Sequence, residues 1–135
     1  METDYPYIGL DDTCKSEIKT VYHIAGGYRF PPTGDNDNIL VALKEHVIDT
    51  GVNASPFNFR YYKSGVVTEG CAYHGINHDV TLLGAGTDAS MNVPYWRIKN
   101  SWGVNWGDKG FIRILRESGV KPAQCAMNLA AMYPL

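Results

Sequence analysis

The sequence predicts a mostly β domain in which short strands form one antiparallel sheet or small barrel, with a helix packed outside it. Two observations support this fold class. Short runs of β-forming residues, bounded by Gly, Asn or Asp, recur along the second half of the chain. Only one stretch repeats apolar residues at helical spacing. At 135 residues and 44% hydrophobic composition, the chain is long enough for one domain with a buried core.

The predicted helix covers residues 38–46 and follows a turn at residues 31–34. Residues 35–38 read Asp-Asn-Asp-Asn and supply several candidate N-caps. Apolar side chains then recur at helical spacing, namely Ile39, Leu40, Leu43 and Val47.

The predicted strands are short and separated by loops. They cover residues 20–24, 47–52, 66–67, 80–84, 95–99 and 110–115. Glycines next to these runs predict bends or close backbone approaches, at Gly84, Gly86, Gly103, Gly107 and Gly110.

Charge and hydropathy exclude several classes of partner. The net charge is −2 and the isoelectric point is near 6.0, so we expect neither a nucleic-acid partner nor an anionic-membrane partner. No apolar run approaches the roughly 20 residues of a membrane helix. Residues 1–5 have no basic flank followed by an apolar stretch, so no signal peptide is expected in this chain.

The three cysteines, Cys14, Cys71 and Cys125, show no Cys-x-x-Cys spacing, which argues against a metal site. No metal or other cofactor is expected. Because the number of cysteines is odd, two interpretations remain open. Either all three thiols are reduced, or two are paired and the third lacks its partner.

Among four histidines, His78 is the best placed for chemistry because it precedes a predicted apolar strand that could orient it. The densest motif follows at residues 95–111, where a strand ends on Asn100. Trp102 and Trp106 then alternate with three glycines. This could be only a glycine-rich hairpin with aromatic packing. Alternatively, the rings shield an amide that orients a histidine, as in sets of nucleophile, base and orienting residue.

Five motifs in order resemble the papain-like cysteine proteases, with the cathepsin L-like branch the most similar. They are Asp-Tyr-Pro-Tyr at 4–7 before Cys-Lys at 14–15, Tyr-Lys-Ser-Gly-Val at 62–66, Asn-His-x-Val at 77–80, Lys-Asn-Ser-Trp-Gly-x-x-Trp-Gly at 99–107, and Met-Tyr-Pro-Leu at 132–135. The resemblance covers essentially the whole chain. It implies the mainly antiparallel β, right-hand half of a papain-like α+β fold across residues 1–135.

The resemblance also implies roles for individual residues in cysteine-type peptide hydrolysis. His78 would be the catalytic base, Asn100 would orient it, and Trp102 would cover their hydrogen bond, while Trp106 would support the cleft. The substrate would be a polypeptide. A second substrate subsite would be lined by Gly51, Ile76, Asn77 and Ala130. The resemblance implies that it is roomy and apolar and suits Leu or Phe rather than Arg.

In this family the nucleophilic cysteine lies far upstream of its histidine, and the motif that carries it is absent here. The chain alone is therefore expected to be inactive. The resemblance implies a disulfide between Cys71 and Cys125, and a lost partner for Cys14. It also implies that the partner is either the missing N-terminal half or a scaffold that covers the same face. Tyr5 and Tyr7 would contribute to that face.

Two further expectations complete the sequence-based interpretation. A lysosomal or secreted location is implied by the resemblance. The alternative to a protease subunit is a truncated, non-catalytic module with a structural or binding role in a larger assembly. One departure from the family is Asp79, because relatives usually carry Ala or Gly directly after the catalytic histidine.

Overall fold

The structure is a computed structural model that describes residues 3–18 and 23–135. Its strands are β1 (Tyr28–Arg29), β2 (Ile48–Val52), β3 (His78–Asp88), β4 (Val93–Lys99), β5 (Phe111–Leu115) and β6 (Ala131–Pro134). Its helices are α1 (Asn36–Ala42), α2 (Phe57–Arg60) and a single 3-10 turn at Gln124–Ala126. No helix among these described residues is long and apolar enough to cross a membrane.

The strands form one sheet in the order β1-β6-β2-β3-β4-β5, and each neighbouring pair is antiparallel. The predicted mainly antiparallel β class with one or two short helices is therefore confirmed. The predicted positions of β2, β4 and β5 agree with the structure to within two residues.

Strand β3 is much longer than predicted, because its glycines do not end it. Leu82 pairs with Ile98 and Gly84 with Arg97, so Leu83 is an extra residue that forms a bulge. A β-carbon at Gly86 would lie 2.7 Å from the Tyr95 hydroxyl oxygen. Gly86 therefore allows the Tyr95 ring to lie across the strand.

Two predicted strands differ from the structure. The prediction of a strand at residues 66–67 is wrong, since Val67 forms only an isolated bridge with Ile114 of β5. The strand at residues 20–24 falls mainly on residues 20–22, which lie outside the described residues. His23 and Ile24 are in no strand.

Helix α1 begins two residues earlier than predicted and ends four residues earlier. The Asp35 carboxylate accepts hydrogen bonds from the backbone N–H groups of Asp37 and Asn38, at 3.1 and 2.9 Å, so Asp35 is the N-cap. Leu43 forms the C-cap, and residues 43–45 continue as turns. His46 thus lies beyond the helix, where its ring stacks on Tyr133 with centroids 4.7 Å apart.

The core lies on the sheet face that carries alternate residues of β3 and β4, between the sheet and α1 and α2. Its largest fully buried side chains are Trp96, Phe59, Ile39, Ile48, Leu82, Ile98, Ile112, Ile114 and Met127. Because α2 contributes Phe59 to this core, the helix is fixed beside the start of β3.

A disulfide joins Cys71 to Cys125, as the family resemblance implied. It closes a loop across 54 positions of sequence, which in the chain-entropy model stabilises the fold by about 4 kcal/mol. The Gln124 side-chain oxygen accepts a 3.1 Å hydrogen bond from the Cys71 N–H. The bond and this contact together hold the 3-10 turn against the segment that leads into β3.

Asp88 ends β3 with a dense set of hydrogen bonds. Its carboxylate accepts bonds from the Ser90 hydroxyl, from the N–H groups of Ser90 and Met91, and from the Arg113 guanidinium. The Ser90 hydroxyl makes the largest contribution to lowering the pKa of Asp88, which falls from 3.8 to about 2. The carboxylate thus fixes the turn between β3 and β4.

Because the pKa of Asp88 is lowered, the free energy of unfolding depends on pH in the acid range. Because the folded pKa lies below the unfolded one, the contribution of Asp88 is fully present above about pH 4 and is lost as the pH falls through 2. We expect D88N to lower the free energy of unfolding near pH 6 and to flatten its decline between pH 4 and 2. Urea denaturation across this range measures both effects. If the free energy of unfolding of D88N falls between pH 4 and 2 as steeply as that of the wild type, this role is contradicted. The control is E69Q, because Glu69 is an exposed carboxylate.

Candidate active site

His78 and Asn100 meet where the start of β3 lies beside the end of β4. His78 is the first residue of β3, and Asn100 directly follows β4. These strands are antiparallel, with Thr81 opposite Lys99, so the start of β3 lies beside the end of β4. The His78 Nε2 and Asn100 Oδ1 atoms are 2.8 Å apart, which makes a hydrogen bond.

The direction of this hydrogen bond follows from a second contact. The Ser101 N–H donates to Asn100 Oδ1 at 2.7 Å, which identifies that atom as the carbonyl oxygen. An oxygen acceptor requires His78 Nε2 to carry the proton. A neutral His78 therefore has its lone pair on Nδ1, and the ring is held in one tautomer and orientation.

Aromatic rings surround the hydrogen bond. The Trp102 ring lies 5.1 Å from the His78 ring at 32°, and Phe59 contacts both rings edge-on. Asn100 is only 6% exposed, although Trp102 itself is 40% exposed on its outer side. Shielding from water strengthens a hydrogen bond, so the cover helps to fix the imidazole.

Trp106 extends the aromatic cluster without touching His78. Its ring packs 5.3 Å from Phe59 and 5.4 Å from Trp102. Its indole N–H donates to the Arg60 carbonyl at 3.0 Å, at the end of α2. Trp106 thus joins the loop after β4 to α2 and positions the cover.

Phe59 is a site residue that the sequence analysis missed. It is fully buried and packs against Trp102, Trp106 and His78. The available signal was the run of aromatic residues at 57–62, but a four-residue helix is too short to show a period. Phe57 and Phe59 could not be distinguished by pattern, and Phe57 is 74% exposed.

Three of the four predicted substrate-binding residues form one patch. A β-carbon at Gly51 would lie 2.6 Å from Ile76 Cγ2 and 3.5 Å from Ala130 Cβ, so the side chains of Ile76 and Ala130 both lie over Gly51. Asn77 differs, because its side chain is bound to the loop after β2. It accepts from the Ala54 N–H at 2.9 Å and donates to the Ser55 hydroxyl at 2.7 Å.

Asp79 lies on the opposite face of β3 from His78, as alternation along a strand requires. It is exposed and pairs in register with Gly51. Asp49, two residues before Gly51, has a raised pKa, caused first by burial and then by the negative charge of Asp79. Two carboxylates therefore lie near the patch.

The site holds His78 in one orientation, and no free thiol is shown beside it in the part of the chain that the structure describes. Cys71 and Cys125 are joined in the disulfide, and Cys14 is the one free cysteine, exposed in the segment 3–18. Within the described residues, no group of three or more His, Cys, Asp or Glu side chains could hold a metal ion. The arrangement suits proton transfer at Nδ1 of an imidazole whose other nitrogen is held.

Comparison with known proteins places these observations in a family. The family model described as papain family cysteine protease matches residues 1–135. The chain is 38% identical to cathepsin L1 of Drosophila melanogaster and 38% identical to a cathepsin L-like protein of Caenorhabditis elegans, over 99% of its own length in each case. It spans 36% and 39% of those two proteins, which is little more than a third of their length.

Comparison with solved structures finds similar proteases. Bromelain of Ananas comosus, in complex with the E64 inhibitor, superimposes with a TM-score of 0.88 at 34% identity, covering 98% of this chain and 60% of that protein. A recombinant stem bromelain precursor gives the same TM-score and identity, with 43% of its length covered.

The loop that carries the two tryptophans depends on Gly107. Its φ of +60° is disfavoured for other residues, and a β-carbon there would lie 2.5 Å from the Phe111 carbonyl oxygen and 3.2 Å from Tyr62 Cδ1. We expect G107A to lower the free energy of unfolding by about 1–3 kcal/mol and to broaden the Trp102 and His78 resonances. Urea denaturation and NMR measure these effects. The control is G84A, where a β-carbon meets nothing within 4 Å. Equal stability of the two variants would contradict the proposed strain.

Proposed function

Because the chain belongs to the papain family of cysteine proteases, we propose that it forms the C-terminal, histidine-bearing half of a cysteine-type endopeptidase. The observation that carries the proposal is the 2.8 Å hydrogen bond between His78 Nε2 and Asn100 Oδ1 beneath Trp102. The substrate is a polypeptide, and residues 1–135 supply the base, its orienting amide and one wall of the cleft.

His78 acts through Nδ1. With Nε2–H donated to Asn100, Nδ1 accepts the proton of a cysteine thiol, and the resulting thiolate attacks the carbonyl carbon of the scissile peptide bond. The imidazolium then donates this proton to the leaving amine nitrogen. In the second half of the reaction, Nδ1 removes a proton from water, and the oxygen attacks the acyl carbon of the thioester. The C–S bond then breaks, the acid product leaves, and the imidazolium returns the proton to the thiolate. Asn100 contacts the base and not the substrate, so it is a positioning residue.

The nucleophilic thiol comes from outside these 135 residues. Two of the three cysteines are in the disulfide, and Cys14 belongs to a sequence motif that is distinct from the nucleophile motif of the family. The chain alone is accordingly inactive in this proposal. Gly51, Ile76 and Ala130 line a substrate subsite, with Asn77 holding the adjacent loop.

The face around the site suits a covering partner. Trp102 is 40% exposed, Tyr5 46% and Tyr7 86%, and Ala130 is exposed beside Ile76. Exposed apolar side chains that lie together mark interaction surfaces, and the proposal places these side chains under one partner. The proposed partner is an N-terminal half that carries the thiol, and a scaffold that covers the same face is the alternative. The disulfide favours an oxidising location, lysosomal or secreted.

A chimaera tests the proposed function. This chain is joined to the preceding part of a cathepsin L-type relative, and peptide hydrolysis and labelling by E64 are measured. We expect both in the chimaera and neither in the isolated chain. We expect H78A to lower kcat/KM by at least about a hundredfold, because a general base contributes that much or more.

The matched control is H23A, because His23 is exposed and lies outside the proposed site. This variant should hydrolyse peptide at the wild-type rate. Full activity in H78A, or peptide hydrolysis by the isolated chain with E64 bound at Cys14, would contradict the proposal.

A further inference from the structure

A carboxylate lies beside the apolar patch of Gly51, Ile76 and Ala130. Asp79 is directly opposite Gly51 in the β2–β3 ladder, so the two residues share one face of the sheet. Residues opposite each other in an antiparallel pair have β-carbon positions about 5 Å apart. The same face of Gly51 contacts Ile76 and Ala130. Asp79 therefore borders the patch directly.

Asp79 forms no ion pair with any of the residues that the structure describes, and neither does Asp49. The register places Lys99, opposite Thr81 on the adjacent strand β4, diagonally beside Asp79 on this face, but the two side chains form no ion pair. Negative charge at Asp79 also raises the pKa of Asp49, so the two carboxylates repel each other. A cation bound here would relieve that repulsion.

The patch itself matches a long side chain that ends in a charge. Ile76 is 40% exposed and Ala130 is exposed, so together they offer an apolar surface. Lys and Arg side chains lay their methylene stems along such surfaces while the charged head reaches a polar group. A Leu or Phe side chain would cover the same patch but would leave the adjacent carboxylate without a partner.

We propose that Asp79 determines specificity, selecting a Lys or Arg side chain of the peptide substrate at the patch of Gly51, Ile76 and Ala130. This proposal rests on the proposed function and changes the substrate preference expected from the sequence, which was for Leu or Phe at an apolar subsite. A substrate side chain reaches this patch because Gly51, Ile76 and Ala130 line a subsite in the proposed function. Asp79 contacts that side chain and takes no part in proton transfer.

Peptide binding to the 135-residue chain tests the proposal without any need for turnover. The probes are three blocked tripeptide amides that differ only in the central residue, which is Arg, its neutral isostere citrulline, or Leu. NMR titration follows the backbone amides of Gly51, Asp79 and Ala130. We expect the Arg peptide to bind about two- to fivefold more tightly than the citrulline peptide, as for an exposed ion pair.

The D79N variant should abolish the preference for Arg over citrulline while leaving Leu-peptide binding unchanged. The matched control is E69Q, which removes an exposed carboxylate elsewhere and should keep the preference. Equal binding of the Arg and citrulline peptides, an unchanged preference in D79N, or the absence of any Arg-induced shift at these amides would overturn the proposal.

Hydrolysis by the chimaera separates this proposal from the proposed function. If H78A removes activity but D79N leaves the ratio of kcat/KM for the Arg and Leu peptides unchanged, the function stands and the specificity proposal fails. If the Arg preference in binding depends on Asp79 but no hydrolysis occurs, the specificity proposal stands and the catalytic one fails.

Discussion

The hydrogen bond from His78 Nε2 to Asn100 Oδ1 is the interaction on which the rest of the site depends. It requires two strand ends to meet at one edge of the sheet, and it requires the amide oxygen to face the imidazole. The Ser101 N–H fixes that oxygen. The result is a neutral imidazole whose Nδ1 lone pair is free to accept a proton, which is the geometry that the proposed role of His78 as a base requires.

The fold supports this interaction with elements remote in sequence. Helix α2 provides Phe59 under the site, and the Arg60 carbonyl accepts the Trp106 indole N–H. On the other side, the disulfide between Cys71 and Cys125 restrains the segment that leads into β3. The orientation of His78 is therefore stabilised by aromatic packing and covalent restraint. The opposite face of the same strand, at Asp79, is exposed to solvent.

Sequence patterns predicted the elements that are defined by local chemistry. Asp35 was among the candidate caps, and the β-rich runs gave β2, β4 and β5 because alternation and bounding turns are local signals. Sequence patterns failed where contacts between residues distant in sequence determine the local structure. The strand was predicted to end at residue 84, although β3 continues through a bulge at Leu83 and past Gly86, where the Tyr95 ring lies close to the backbone. The buried hydrogen bond between Asn36 and Asn128 joins residues 92 positions apart and has no local pattern.

Some residues of the candidate site could be predicted from the family motifs, and others could not. Motif order gave His78, Asn100, Trp102 and the disulfide pair, since these residue types occur at fixed positions in the family. Phe59 could not be distinguished from Phe57, because a four-residue helix shows no period. The resemblance had already grouped Gly51, Ile76 and Ala130, and the structure brings them together. The charge beside this patch became visible only through the register that places Asp79 opposite Gly51.

The most direct test of the central claim is the protonation of the His78 ring, measured by nitrogen-15 NMR on the 135-residue chain at a pH where the ring is neutral. We expect the proton on Nε2 and the lone pair on Nδ1 in the wild type. In N100A the preference for this tautomer should be lost, while N105A at an exposed asparagine should keep it. A wild-type ring protonated on Nδ1, or an N100A ring identical to that of the wild type, would contradict the account.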